Sequence, residues 1–155
     1  MSVYRISDEI VINAPLKEVW SFFSNPLNLK RITPPEMNLK YRFEPESDSV
    51  YPGMLLAYMV SPVAGIPVEW ITEITAVDPK KRFVDEQRKG PFAMWHHIHE
   101  FQSLGENKTL ARDLVYYRIP LGFLGKLAHF LFVRRQTQAM FTHRKEALDK
   151  IFSIG

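Results

Sequence analysis

The chain contains no cysteine, which excludes disulfides, thiolate metal ligands and a cysteine nucleophile. It contains no run of 18 apolar residues, so no segment has the length of a membrane-spanning helix. No basic region followed by an apolar stretch opens the chain, so no signal peptide is expected and a cytoplasmic location is the default. There is no glycine-rich phosphate loop and no Ser/His/Asp order around a nucleophile elbow. Repeats, low-complexity tracts and linkers are also missing. What remains reads as one domain over residues 1–155, long enough to bury a sizeable core.

The 46% hydrophobic and 13% aromatic content argues against disorder. Net charge is +3, but it is uneven. Between Gly122 and Phe152 six basic residues (Lys126, Arg134, Arg135, Arg144, Lys145, Lys150) face two acidic ones (Glu146, Asp149), giving 6 − 2 = +4. A basic helix face can meet anionic lipid or nucleic acid. The plainer reading is a solvated face whose apolar side packs on a sheet, with no stable membrane binding. His129 and His143 are expected at the surface or a rim.

Period-two and helical spacing divide the chain. Val3–Ile12 reads as a strand, with Asp8 interrupting its alternation. Asn13-Ala14-Pro15 reads as a helix start with Asn13 near the cap. Asn25-Pro26 opens a second short helix to about Arg31, and Thr33-Pro34-Pro35 stops it. Strands are expected at Asn38–Phe43, Gly53–Val60, Val68–Val77, Arg82–Arg88, Ala93–Leu104 and Thr109–Ile119. Phe123 to Phe152 is helical, nearly all apolar in its first half and amphipathic in its second. The fold class is therefore α+β. A seven-stranded antiparallel sheet and one long helix bury each other best when the sheet curls round the helix, with two short helices after strand 1. Residues pointing inward would line the gap between them.

The most informative stretch is Trp95-His96-His97-Ile98-His99-Glu100-Phe101. Strand side chains alternate between faces. Glu100 and Gln102 belong in water, so Trp95, His97, His99 and Phe101 should point inward and His96 outward. Buried imidazoles are costly unless something satisfies them. Neighbouring strands bring Asp85 and Gln87 on one side, and Asp113 and Tyr117 on the other. A three- or five-residue turn after Gly105 places Asp113 on the histidine face, whereas a four-residue turn places it outside. Arg112 and Arg118 want solvent, which favours the first.

The element order resembles the helix-grip fold of the START-like (SRPBCC) superfamily, which includes pollen-allergen-like proteins and polyketide cyclases. More narrowly, Asp85-x-Gln87-x-x-Gly90-Pro91-Phe92, Trp95-x-His97-x-His99-x-Phe101 and Asp113-x-Val115-x-Tyr117-x-x-Pro120-x-Gly122 are similar to an uncharacterised bacterial ligand-binding branch. That branch is sometimes attached to a short-chain-epimerase-like domain. The resemblance implies a pocket for a hydrophobic ligand and leaves an epimerase-like protein partner open.

Four readings of the polar cluster compete. It satisfies itself and sets the strand register. It binds the polar head of an apolar molecule. It performs acid/base chemistry through His97, His99 and Asp113. Or it holds a metal through residues i and i+2 of a strand, for which nothing else in the spacing asks. The preferred function is binding of a small hydrophobic molecule with a polar or acidic head. The alternatives are a cyclase-, dehydratase- or isomerase-like enzyme, and an interaction domain for an epimerase-like protein. No cofactor and no resident metal is expected. Nucleic-acid stacking on Trp95, Tyr116 and Tyr117 is rejected because the long helix should cover the sheet.

The cavity is expected to be lined by Trp70, Phe83, Trp95, Phe101, Tyr117, Leu124, Leu127 and Leu131, with Asp85, Gln87, His97, His99 and Asp113 as polar partners. Met54, Met59, Met94 and Met140 are expected in core or lining. The mouth is expected at Pro120–Phe123 and the Ser61–Pro67 loop.

Overall fold

Alternating side chains build a seven-stranded antiparallel sheet. The structure is a computed structural model that describes residues 2–63 and 65–153, with backbone alone at residues 63, 123, 126 and 128–130. The strands are β1 (Tyr4–Ile12), β2 (Lys40–Tyr41), β3 (Leu55–Val63), β4 (Ile66–Asp78), β5 (Arg82–Lys89), β6 (Met94–Ser103) and β7 (Thr109–Arg118). Their spatial order is β1-β7-β6-β5-β4-β3-β2. Between β1 and β2 lie α1 (Leu16–Ser24) and two 3₁₀ segments, Pro26–Ile32 and Pro35–Met37. The chain ends with α2 (Gly122–Ala128), a π-helical stretch (His129–Val133) and α3 (Arg134–Phe152). The helix-grip architecture expected from the residue pattern is present.

Period-two burial is regular along β7, which alternates buried and half-buried positions throughout. The β6–β7 hairpin pairs Ser103 with Thr109 and leaves five residues, 104–108, in the turn. That length puts Asp113 opposite His99, on the inner face with the histidines. Asp8 does not interrupt β1. It keeps the parity of Ile6 and Ile10 and pairs with Asp113.

Local details depart from the sequence pattern. Asn13 does not cap α1; Pro15 stands at the cap with no side-chain bond. Asn25 is the working cap instead, its Oδ1 accepting from the Leu27 N–H at 3.0 Å. The segment after it is 3₁₀ rather than α. The Asn38–Phe43 strand shrinks to two residues, Lys40–Tyr41. Most of the expected Ser61–Pro67 loop is strand, because Val63 pairs with Ile66 across a tight turn. Residue 64 lies outside the described residues.

The largest departure concerns the last helix. Leu124, Leu127 and Leu131, expected to line the cavity between sheet and helix, are 66%, 50% and 51% exposed. Leu121 and Phe132 are exposed beside them. An apolar run without period does not say which face packs. The stripe that packs is Thr137, Phe141 and Leu148, at helical spacing on α3. The concave face is filled by α1, the first 3₁₀ segment and α3, so the helix touches the sheet further along than expected. The expectation that the apolar side of this helical run packs on the sheet therefore holds for α3 and not for the stretch before it. Among the described residues no helix is long and apolar enough to cross a membrane.

Candidate functional site

The strand register sets a polar box on the inner face of β5, β6 and β7. His97 pairs with Asp85 of β5, and His99 pairs with Asp113 of β7. The side chains also cross diagonally. His97 Nε2 lies 2.8 Å from Asp113 Oδ1, and His99 Nε2 lies 2.8 Å from Asp85 Oδ2. The two imidazoles stack with centroids 3.7 Å apart, and Phe83 stacks on the outer face of His99 at 4.2 Å. His97 Nδ1 faces Asp85 Oδ2 at 3.8 Å, and His99 Nδ1 faces Asp113 Oδ1 at 3.1 Å, off the line of a hydrogen bond. Each aspartate thus serves both histidines. His97, His99 and Asp113 are all more than nine-tenths buried.

Two further side chains complete the box. Thr72 Oγ1 donates to Asp85 Oδ1 at 3.1 Å. Arg144, on α3, reaches Asp113 Oδ1 at 3.2 Å and lies over the Phe23 ring. The sequence reading assigned Arg144 to a solvated basic face. Its side chain is instead 12% exposed. Its spacing from Phe141 and Leu148, three and four residues, was the signal that it shares their buried stripe.

The charge states follow from these contacts. Burial alone would raise the Asp113 carboxyl, but Arg144, the His97 bond and the close His99 imidazole outweigh it and hold it well below the usual carboxylate range. Burial also works against the Asp85 carboxylate, yet the His99 bond, both histidine charges and Thr72 leave it lowered. Both carboxylates are therefore acceptors, and the imidazoles donate to them. His97 is lowered by burial and by the His99 charge. His99, despite the same burial, is raised by its contacts with Asp113 and Asp85. One imidazole is driven towards the charged form and its stacked neighbour towards the neutral form, which avoids two adjacent cations. Asp8 goes the other way from Asp113: burial and the Asp113 charge raise it, against Lys145 and Arg144.

These directions predict an acid-labile fold. The stability that Asp85 and Asp113 contribute is fully present above their unfolded pKa of about 3.9 and is lost as pH falls through their lower folded values. His97, lowered, also loses stability as pH falls below about 6.5. His99, raised, contributes below that pH and loses its contribution as pH rises through its folded value. Asp8, raised, opposes its two partners near pH 4. Stability by urea unfolding should therefore fall steeply from pH 5 towards pH 2, and Asp113→Asn should make that slope shallower. Equal slopes in the two proteins would contradict the assignment.

Beside the box is a cavity of about 170 Å³ between the sheet, the first 3₁₀ segment and α3. Of the expected lining residues, Trp70, Phe83, Asp85, Trp95, His97 and His99 line it. Phe101 does not; it packs under α1 against Trp20 and Phe23. Tyr117 is buried against Trp95 and Tyr4. Asp113 stands behind the histidines. Gln87 is spent on the β5–β6 connection, where it donates to Phe92 O and accepts from Phe92 N. A Cβ at Gly90 would collide with that amide, so the glycine makes room for it. Leu124, Leu127 and Leu131 are on the surface and line no part of the cavity.

The mouth is not at Pro120–Phe123; the Phe123 side chain lies outside the described residues. The half-exposed lining residues Asn28, Leu29, Thr33, Met37 and Met140 place it between the 3₁₀ segments and α3. Met140 thus lines the cavity and Met54 is core, 1% exposed, whereas Met59 and Met94 are half-buried on strands. Tyr58, Thr72 and Ile74 also line the cavity beyond the expected set; Thr72 and Ile74 share the parity of Trp70, whereas the apolar Gly53–Val60 strand gave Tyr58 no facing signal. His96 points outward to Glu86, and the side chain of His129 lies outside the described residues.

Comparison with known proteins agrees with this architecture. A START superfamily protein from Mycobacterium smegmatis superposes with a TM-score of 0.72 at 15% identity, covering 96% of this chain and 97% of that one. Norcoclaurine synthase from Thalictrum flavum, in complex with dopamine and hydroxybenzaldehyde, superposes at 0.67 with 16% identity, covering 97% and 86%. The di-domain ARO/CYC BexL from the BE-7585A biosynthetic pathway gives 0.68 at 19%, covering 94% of this chain and 45% of that one. These similarities establish the fold. No curated protein matches the sequence. Residues 12–145 match the family described as Polyketide cyclase / dehydrase and lipid transport, and the chain belongs to that family, as the resemblance in element order led us to expect.

Proposed function

We propose that the protein binds a small, mostly apolar molecule of one or two rings, whose acidic or polar head meets His97 and Trp70 beside the positive charge of His99. The observation that carries this reading is a buried donor without an acceptor. Trp70 lines the cavity, is 9% exposed, and its Nε1–H has no partner among the described residues. An unmade buried hydrogen bond costs about 1–3 kcal/mol, and a ligand oxygen would remove that cost. The cavity volume supports the size class, since a dry cavity of about 150 Å³ holds benzene. The aromatic walls Trp70, Trp95 and Phe83 suit a flat ring. Apolar walls with a few polar groups are the usual composition of a small-molecule site. The family description, which joins polyketide chemistry with lipid transport, supports the same class of molecule.

Intrinsic fluorescence provides the test, because two of the three tryptophans, Trp70 and Trp95, line the cavity. Titration with aromatic carboxylates and medium-chain fatty acids should show saturable binding for the aromatic class. His99→Gln should weaken carboxylate binding by up to about 4 kcal/mol, the Coulomb energy of a charge pair about 4 Å apart at an effective dielectric of about 20. Affinity should hold at low pH and fall as pH rises through the bound-state pKa of His99. Binding indifferent to both His99→Gln and pH would sink the proposal.

The second reading, an acid/base enzyme of the cyclase, dehydratase or isomerase kind, is favoured by the His99–Asp85 pair at 2.8 Å beside the cavity. An imidazole oriented by a carboxylate can move a proton near neutral pH. Under that reading Asp85→Asn costs turnover far more than affinity. The expected epimerase-like partner has no support in the comparisons.

A further inference from the structure

We propose that Asp85, His97 and His99 form a binding site for a divalent first-row transition metal, with an open coordination position facing the cavity. This deepens the binding proposal above and rests on it for the identity of the fourth ligand. One ligand atom from each of the three residues lies within 4.8 Å of the others. Asp85 Oδ2 is 2.8 Å from His99 Nε2 and 3.8 Å from His97 Nδ1. A tetrahedral ion held at about 2.0–2.2 Å from each ligand requires ligand–ligand separations of about 3.3–3.6 Å, which the observed distances bracket. Changes of up to about half an ångström would bring these two carboxylate–imidazole distances into that range.

The surroundings are those a metal site needs. A ligating histidine normally donates its other ring N–H to a carboxylate, which fixes its tautomer. Here one atom, Asp113 Oδ1, faces the remaining nitrogen of both histidines, at 2.8 Å from His97 Nε2 and 3.1 Å from His99 Nδ1. Arg144 holds that aspartate from behind at 3.2 Å. The other Asp85 oxygen is occupied by Thr72, so Oδ2 is the atom left for the ion. His97 Nδ1 lies 3.8 Å from Asp85 Oδ2, too far for a hydrogen bond, so that nitrogen is not committed to the carboxylate. Asp85, His97 and His99 all line the cavity. Two imidazoles and one carboxylate suit zinc, iron, cobalt or nickel rather than magnesium or calcium.

Charge balance names the fourth ligand. The ion would enter as the proton between His99 and Asp85 leaves. With two neutral imidazoles, two carboxylates, Arg144 and a divalent ion, the site carries 2 + 1 − 2 = +1. One anionic oxygen in the open position, from a carboxylate, an enolate or phenolate, or hydroxide, brings it to zero. The metal would then receive the acidic head of the same aromatic ligand.

The test uses the full chain stripped with chelator, then titrated with Zn²⁺ by calorimetry and with Co²⁺ by visible absorption. One equivalent should bind, and the Co²⁺ spectrum should report a low-coordinate nitrogen/oxygen environment. His99→Gln and Asp85→Asn should each reduce Zn²⁺ affinity at least 100-fold, while Asp113→Asn should reduce it about 10–100-fold. His96→Gln should leave it unchanged, because His96 pairs with Glu86 on the outer face. The Co²⁺ spectrum of the unaltered protein keeps the test decisive if a variant fails to fold. No stoichiometric Zn²⁺ binding, a Co²⁺ spectrum of the hexaaqua type, or binding abolished by His96→Gln would overturn the proposal. Fluorescence titration with a naphthoate in chelator separates the two claims. Naphthoate binding with no uptake of Zn²⁺ overturns the metal site and leaves the pocket standing, Zn²⁺ uptake with unchanged naphthoate affinity overturns the fourth-ligand assignment, and tighter naphthoate binding with Zn²⁺ supports both.

Discussion

Arg144→Met should destabilise the protein by about 3–5 kcal/mol, the cost of leaving a buried charge without its partner. Asp113 is 5% exposed, and Arg144 is the arginine that the structure pairs with it. Methionine keeps much of the aliphatic packing over Phe23, so the loss is mainly electrostatic. Adding Asp113→Asn should recover part of the stability, because it removes the buried carboxylate that has lost its guanidinium and keeps only the histidines. Urea unfolding of the two single variants and the double variant gives the coupling directly. A loss below about 1 kcal/mol, the size of an exposed pair, would mean that water reaches this contact.

Leu148→Ala should cost about 2–5 kcal/mol, as a large-to-small change at a fully enclosed site does. Leu148 is 1% exposed. Leu124→Ala, at a site 66% exposed, should change stability by no more than about 0.5 kcal/mol. The comparison tests which stretch of the last helical run holds the sheet. Comparable losses would show that the first stretch packs after all, and would return Leu124 to the list of lining residues. Thermal and urea unfolding of both variants, each with unchanged circular dichroism, decides it.

The inward face of β6 was legible without coordinates. Glu100 and Gln102 fix one side of the strand in water, and period two then sends Trp95, His97, His99 and Phe101 to the other. Element order was legible for the same kind of reason: alternation, proline stops and a long helical pattern are local signals. The family motif added the expectation of a pocket. Asp113 was legible only as a conditional, since its side depends on turn length.

What lies between elements was not legible. Arg144 sits 31 residues beyond Asp113 in the chain, and only the docking of α3 beside β1 and the first 3₁₀ segment turns a basic residue into the counter-ion of a buried carboxylate. The apolar run at Leu124–Leu131 marks a helix but carries no address, because hydrophobicity states a preference for burial and not a partner. Gln87 has the parity of a cavity residue, yet a nearer backbone, Phe92, takes both of its polar atoms. Local periodicity therefore determined which residues form strands and helices and which face of each is inward. Tertiary packing decided which inward residues meet across the gap, because those contacts join elements whose separation in sequence leaves no periodic trace.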